Sequence, residues 1–144
     1  MPRIMKTLNN ISRCQATFRT ERLNAEGISA CHHAFILTIG RMPGLTQDML
    51  AKELCFNKST VTRTLNHLES HGYVLRKGNP DDKREILVYP TQAMLDNLPK
   101  VRTITQEWHD GLTADIPEDE MTVFYTVLQK LERGAKTMSG ANKE

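Results

Sequence analysis

The chain is 144 residues long, 39% hydrophobic and 25% charged, with a formal net charge of +2. That length supports one domain (1–144) with its own core, although a domain this small often leaves an apolar face for a second copy. No apolar run approaches the roughly 20 residues of a membrane span, so a membrane-spanning protein is excluded.

Cys14, Cys31 and Cys55 show no C-x-x-C spacing, so neither a disulfide framework nor a four-thiolate zinc site is suggested and reduced thiols are expected. "MPRIMKTLNNISRCQ" is basic but lacks the apolar segment and cleavage site of a secretory signal, which points to the cytoplasm.

In chain order, "LNNISRCQATF" places Leu8, Ile11, Cys14 or Gln15, and Phe18 at helical spacing, predicting an amphipathic helix that ends near Leu23. "ISACHHAFILTIGRM" reads as a short apolar helix stopped by Pro43-Gly44. Thr46 offers an N-cap oxygen to "QDMLAKEL", whose Leu50 and Leu54 face inward beside Ala51. After a break at "CFN", Asn57 can cap "KSTVTRTLNHLES", which Gly72 ends. "YVLRK" and "ILVY" read as strands on either side of the charged turn "NPDDKRE".

Thr91 can cap the next helix, inside which Pro99 removes a backbone donor and meets the carbonyl of Leu95. That costs roughly 3 kcal/mol unless the helix bends, so a kink is expected between Leu95 and Leu98. "IPEDEMTVFYTVLQKLERG" reads as a final helix, and the tail 137–144 is expected to be disordered.

The fourth helix carries the informative pattern. Val61, Leu65 and Leu68 form its buried stripe, leaving Ser59, Thr62, Arg63 and Asn66 on the opposite face. Short hydroxyls, an amide and a guanidinium are the groups that reach base edges and phosphates in a major groove. A merely solvated face has the same composition, so the charge distribution and context matter. Residues 1–23 are net +4, with Arg3, Lys6, Arg13, Arg19 and Arg22 against Glu21. Residues 57–84 are net +3, with Lys58, Arg63, Arg76, Lys77, Lys83 and Arg84 against Glu69, Asp81 and Asp82. Residues 107–120 hold six acids and no Lys or Arg. This asymmetry points to a polyanion on one face. A short helix, a tight turn, this helix and a charged hairpin are the parts of a winged helix-turn-helix.

"GLTQDMLAKELCFNKSTVTRTLNHLESHGYVLRKGNPDDKREILVYPT" resembles the DNA-binding lobe of the MarR family of bacterial transcriptional regulators, over about Ile28 to Thr91. "NKSTVTRTLNHLESHGYV" and "NPDDKRE" are its most specific pieces, and the last helix is similar to the family's dimerisation helix. The resemblance implies a mainly α fold with a small β-hairpin wing. It also implies a winged-helix lobe at 28–91, dimerisation helices at 4–23 and 92–136, and a homodimer on a pseudo-palindromic double-stranded DNA operator. By the same likeness the DNA-binding candidates are Asn57, Lys58, Ser59, Thr60, Thr62, Arg63 and Asn66 on the helix, with Lys77, Asp82, Lys83 and Arg84 on the wing. Arg63 is expected to read bases, Arg84 to enter a minor groove with Asp82 holding it, and Arg76, Lys77 and Lys83 to steer and touch phosphates. The family's usual Leu-Thr-x-x-Gly after the wing is here Pro90-Thr91-Gln92-Ala93-Met94.

Many members of the family release DNA on binding a small aromatic or phenolic effector, for which Ile11, Cys14, Phe18, Cys31, His32 and Phe35 are candidates. Others sense oxidants or metals, so Cys14 and the Cys31/His32 pair remain alternatives. No tyrosine lies in the first two helices to support a reactive Cys14, and a packed thiol is expected there. "CHHAF" could hold zinc with Glu26 or His109, but adjacent helical histidines point about 100° apart, so no metal and no cofactor are assigned.

Two other classes find no support in the motifs. Catalysis lacks a G-x-S-x-G elbow, a phosphate-binding glycine loop or H-E-x-x-H, and Asp81 and Asp82 suit a solvated turn, so no enzyme is expected. A winged helix that binds only proteins would carry apolar residues on its exposed face, where this chain has polar ones.

Overall fold

The structure is a computed structural model that describes residues 3–23 and 28–140. Glu26 and residues 141–144, to which parts of the sequence expectations refer, lie outside the described residues. The helices are α1 (Ile4–Leu23), α2 (His33–Arg41, preceded by a 3-10 turn Ala30–His32), α3 (Gln47–Leu54), α4 (Lys58–Ser70), α5 (Gln92–Thr113) and α6 (Glu118–Ser139). The strands are β1 (Leu45–Thr46), β2 (Val74–Gly78) and β3 (Ile86–Pro90), in an antiparallel sheet of order β1-β3-β2.

Local chemistry fixes the helix-turn-helix. Thr46 Oγ1 accepts from the Met49 amide at 3.0 Å, and Asn57 Oδ1 accepts from the Thr60 amide at 2.8 Å. Each such cap contributes about 1 kcal/mol. Between the helices Cys55 adopts φ 56°, and the amides of Cys55 and Phe56 return to Lys52 O (3.3 Å) and Ala51 O (3.1 Å). After α4 the same closure recurs on Gly72 at φ 76°, with Gly72 N to Glu69 O at 3.0 Å and Tyr73 N to Leu68 O at 2.8 Å. Glycine makes this conformation accessible without strain at the second turn; at the first, a cysteine carries it.

The stripe Val61, Leu65 and Leu68 is buried against Phe35, Ile36 and Ile39 of α2, Leu50 of α3, and Val74 and Val88 of the sheet. Met94, Leu98, Val101 and Ile104 are buried in the same core. The first half of α5, which the sequence division at residue 92 places with the dimer helices, therefore packs within the winged-helix lobe. A Cβ built on Gly40 would lie 2.7 Å from Leu98 Cδ2, so the glycine permits the close approach of α2 and α5.

β1 has no counterpart in the sequence reading, because a two-residue strand shows no alternation; its register is Leu45 with Val88 and Thr46 with Leu87. In β2 and β3 the pairing runs from Val74 with Pro90 to Gly78 with Ile86. Thr91 caps α5 as expected, accepting from Met94 N at 3.3 Å. Pro99 sits inside α5 without ending it. At the C-terminus the tail expectation needs correction, since Thr137–Ser139 are helical. Gly140 ends α6 in the left-handed conformation at φ 74°, and Lys136 and Glu132 form an i,i+4 pair at 2.8 Å. No α6 side chain is buried within the single chain. Among the described residues no helix is long and apolar enough to cross a membrane.

Candidate nucleic-acid interface

On α4, Ser59, Thr62, Arg63 and Asn66 are all exposed. The Ser59 hydroxyl donates to Asn57 Oδ1 at 2.8 Å and the Thr62 hydroxyl to Lys58 O at 2.9 Å, so their oxygens face outward chiefly as acceptors. Lys58 Nζ lies 3.5 Å from Asp48. Thr60, grouped with these residues by sequence, is half-buried and turns toward a cleft on the α2 side. Arg63 stands between the two, exposed and also on the cleft wall.

The wing tip is a hydrogen-bonded loop. Asn79 N donates to Glu85 O at 3.0 Å, Asn79 Nδ2 to Glu85 Oε2 at 2.8 Å, and Asp81 N to Asn79 Oδ1 at 2.9 Å. Asp82 Oδ1 receives the Arg84 amide at 3.0 Å and lies 3.4 Å from Arg84 Nε, while the Arg84 side chain is 92% exposed. A fixed loop thus presents a projecting cation. Lys83 is exposed, and Lys77 Nζ lies 5.5 Å from the centre of the Tyr89 ring.

Arg76 departs from the expectation of a free steering cation. Its side chain is only 20% exposed; Nε donates to Glu69 Oε2 at 2.8 Å, Nη2 to Asn66 Oδ1 at 2.6 Å and Nη1 to Gln47 Oε1 at 3.4 Å. The hydrogen bond from Arg76 also holds the Glu69 carboxyl below its ordinary pKa. No local pattern reveals this contact, which depends on the chain reversing at Gly72.

The effector candidates do not converge. Cys31, His32 and Phe35 line a cleft of about 490 Å³ with Phe56, Arg63 and His67, whereas Ile11 and Cys14 line a separate groove of about 270 Å³ with Trp108 and Leu112. Phe18 lines neither of these; its ring lies 5.3 Å from Trp108, with the Arg22 guanidinium 3.5 Å from its centre. Cys14 is exposed in the single chain rather than packed, because α1 meets the rest of the chain chiefly through its C-terminal end.

His32 is buried, 3.2 Å from Ser29 Oγ, and its ring centre lies 4.5 Å from that of His67 in a tilted arrangement, while His67 stacks on His71 at 4.1 Å. Burial, then the two neighbouring imidazoles, lower the His32 pKa. His33 diverges from it, with Nε2 2.6 Å from Thr105 Oγ1, and burial followed by the Arg19 charge lowers its pKa to about 4. Among the described residues no group of three or more His, Cys, Asp or Glu could hold a metal ion.

A capped helix, a left-handed turn, a second helix with a polar outer face and a sheet extending into a charged loop define a winged helix-turn-helix DNA-binding protein. Residues 28–86 match the MarR family. The HTH-type transcriptional regulator BilQ of Clostridium symbiosum (strain WAL-14163) is 29% identical over 114 residues, covering 79% of this chain and 79% of the relative. A crystal structure of MarR superposes with a TM-score of 0.81 at 29% identity over 97% of both chains. A mutant MarR from Escherichia coli crystallised with operator DNA gives 0.79 at 26% identity, over 89% of this chain and 92% of that one. The chain is thus similar to MarR-family proteins in sequence over residues 28–86 and in fold over nearly its whole length, and BilQ is a transcriptional regulator.

Proposed function

We propose that the protein is a homodimeric, ligand-responsive repressor acting in the cytoplasm on a pseudo-palindromic double-stranded operator. The observation that carries this reading is the exposed polar face of α4, with Arg63 at its centre and the base of the wing joined to its edge through Arg76 and Asn66. In this reading α4 enters the major groove and Arg63 reads a base, while Ser59, Thr62 and Asn66 fit the groove wall. Asn57, Lys58 and Thr60 set the helix N-terminus against the backbone, Lys77 and Lys83 meet phosphates, and Arg84, held by Asp82, enters the adjacent minor groove, where a narrow groove favours a long cation.

Ile4, Ile11, Leu112, Ile116, Phe124 and Leu131 on α1, the end of α5, its following turn and α6 are exposed in the single chain, which supports a second copy as their cover. Covering six such side chains contributes on the order of 10 kcal/mol before the cost of association. A planar aromatic or phenolic effector suits the cleft walled by Phe35, Phe56 and His32, with Arg63 as its cation.

Selection of bound fragments from random double-stranded DNA tests the whole reading. The expected product is a two-fold motif with half-sites about 10 bp apart, whose enrichment falls when candidate phenols are added. Arg63→Ala should cost about 1–3 kcal/mol per half-site and relax preference at one base. Flat enrichment by the native protein would end the operator reading, and enrichment indifferent to every phenol would end its effector part.

A further inference from the structure

Arg76 holds one of the groups that would face the bases. A guanidinium has only donors, so the Asn66 atom 2.6 Å from Nη2 is the carbonyl oxygen, and the amide nitrogen is left as the free end of the side chain. Arg76 is itself fixed from two other sides, by Glu69 at 2.8 Å and Gln47 at 3.4 Å, and is largely covered. The amide orientation is therefore imposed by three elements, β2, α3 and α4, and not by solvent.

We infer that Arg76 sets the base preference of the recognition helix by making Asn66 a donor-only reader. This rests on the proposal that α4 reads an operator. An unconstrained asparagine reads adenine by offering its oxygen to the N6 amino group and its nitrogen to N7. Here the oxygen already accepts from a cation, and that cation repels the amino hydrogens that adenine and cytosine present to the groove. Asn66 is left to donate to acceptor edges, which are guanine O6 and N7 or thymine O4, whereas adenine N7 is flanked by the N6 amino group that the cation repels. Arg76 acts through Asn66 and is a positioning residue; it supplies no base contact of its own.

The test is the same selection from random DNA, run with the native protein, Asn66→Ala, Arg76→Met and Asn66→Asp, each checked for folding by circular dichroism. Asn66→Ala identifies the operator position that depends on this side chain. At that position the native protein should prefer guanine or thymine. Arg76→Met should shift the preference toward adenine by about tenfold, the size of a bidentate contact, with the position read by Arg63 unchanged. Asn66→Asp keeps an acceptor for Arg76 and turns the outward donor into an acceptor, so it should select cytosine; this arm stands even if Arg76→Met does not fold. A merely structural Arg76 would lower affinity for all sequences alike and leave the motif unchanged. Native preference for adenine at the mapped position, no position mapped by Asn66→Ala, or an Asn66→Asp motif without cytosine would overturn the inference while leaving the operator reading intact. Flat enrichment by the native protein would overturn both.

Discussion

Acidification should destabilise this fold through one identifiable group. His33 is 1% exposed where α2 meets α5, and its Nε2 lies 2.6 Å from Thr105 Oγ1. The Thr105 hydroxyl donates its single hydrogen to Val101 O at 2.9 Å, so it can only accept from the imidazole. The ring is therefore neutral with its hydrogen on Nε2. A second proton would place charge in a covered site near Arg19, whose Nε is itself buried without a hydrogen-bond partner. These two causes, burial first, bring the pKa from 6.5 to about 4.

Because the folded value lies below the unfolded one, the unfolded chain binds the proton more readily. Stability is full above pH 6.5 and is lost progressively as pH falls from 6.5 toward 4. Between pH 7 and pH 5 linkage gives a loss of about 2 kcal/mol per chain. The comparison variant is His33→Gln, which keeps an amide donor for Thr105 but cannot titrate. Urea unfolding followed by circular dichroism, at fixed chain concentration to hold any assembly constant, should show the native protein losing about 2 kcal/mol more than the variant over that interval. Equal losses would refute the buried-neutral assignment.

Three further outcomes are expected. Cys55→Gly removes a left-handed side-chain cost of about 1–2 kcal/mol and adds some unfolded-state entropy, so thermal melting should show stability unchanged or slightly higher; a clear loss would mean that the Cys55 side chain stabilises the turn. Asp82→Ala should weaken operator binding in fluorescence anisotropy, although it removes a negative charge near DNA, because Arg84 loses both its ion pair and the loop anchor at its own amide; tighter binding would refute the holding role. Phe124→Glu with Leu131→Glu should yield a single-chain mass in light scattering and weaken operator binding at least about tenfold through loss of the second half-site; a retained dimer would place the interface elsewhere.

What the sequence revealed follows from how local each signal is. The boundaries and caps of α3 and α4 depend on Thr46, Asn57 and Gly72 and on an apolar period within one helix, so they could be read directly. The divergence of His32 and His33 followed from helical geometry alone. β1 could not be read, because its two residues owe their strand pairing to Leu87 and Val88 far along the chain. The contacts of Arg76 are illegible for a related reason, since its three acceptors on α3 and α4 come within reach only when the chain reverses at Gly72. The effector candidates share residue type but not place: Cys31, His32 and Phe35 line one surface, Ile11 and Cys14 another and Phe18 neither, because α1 and the start of α2 face different neighbours.

The placement of α5 connects these local facts to control of DNA binding. Residues 94–104 of α5 bury Met94, Leu98, Val101 and Ile104 in the core that supports α4, while its far end carries the exposed Leu112. At 1.5 Å per residue a helix of this length is about 33 Å long, so a tilt of about 6° displaces one end by about 3 Å, comparable with the axial rise of one base pair. In the proposed dimer the far ends are tied to the second copy, and such a tilt would move the two recognition helices out of register with a fixed operator. The tilt is held where α2 crosses α5, by Leu98 seated on Gly40 and by His33 bonded to Thr105. His32 lies next to His33 in the chain and walls the cleft that also contains Arg63. A ligand in that cleft could therefore act on register through α2 without displacing α4 from its own core.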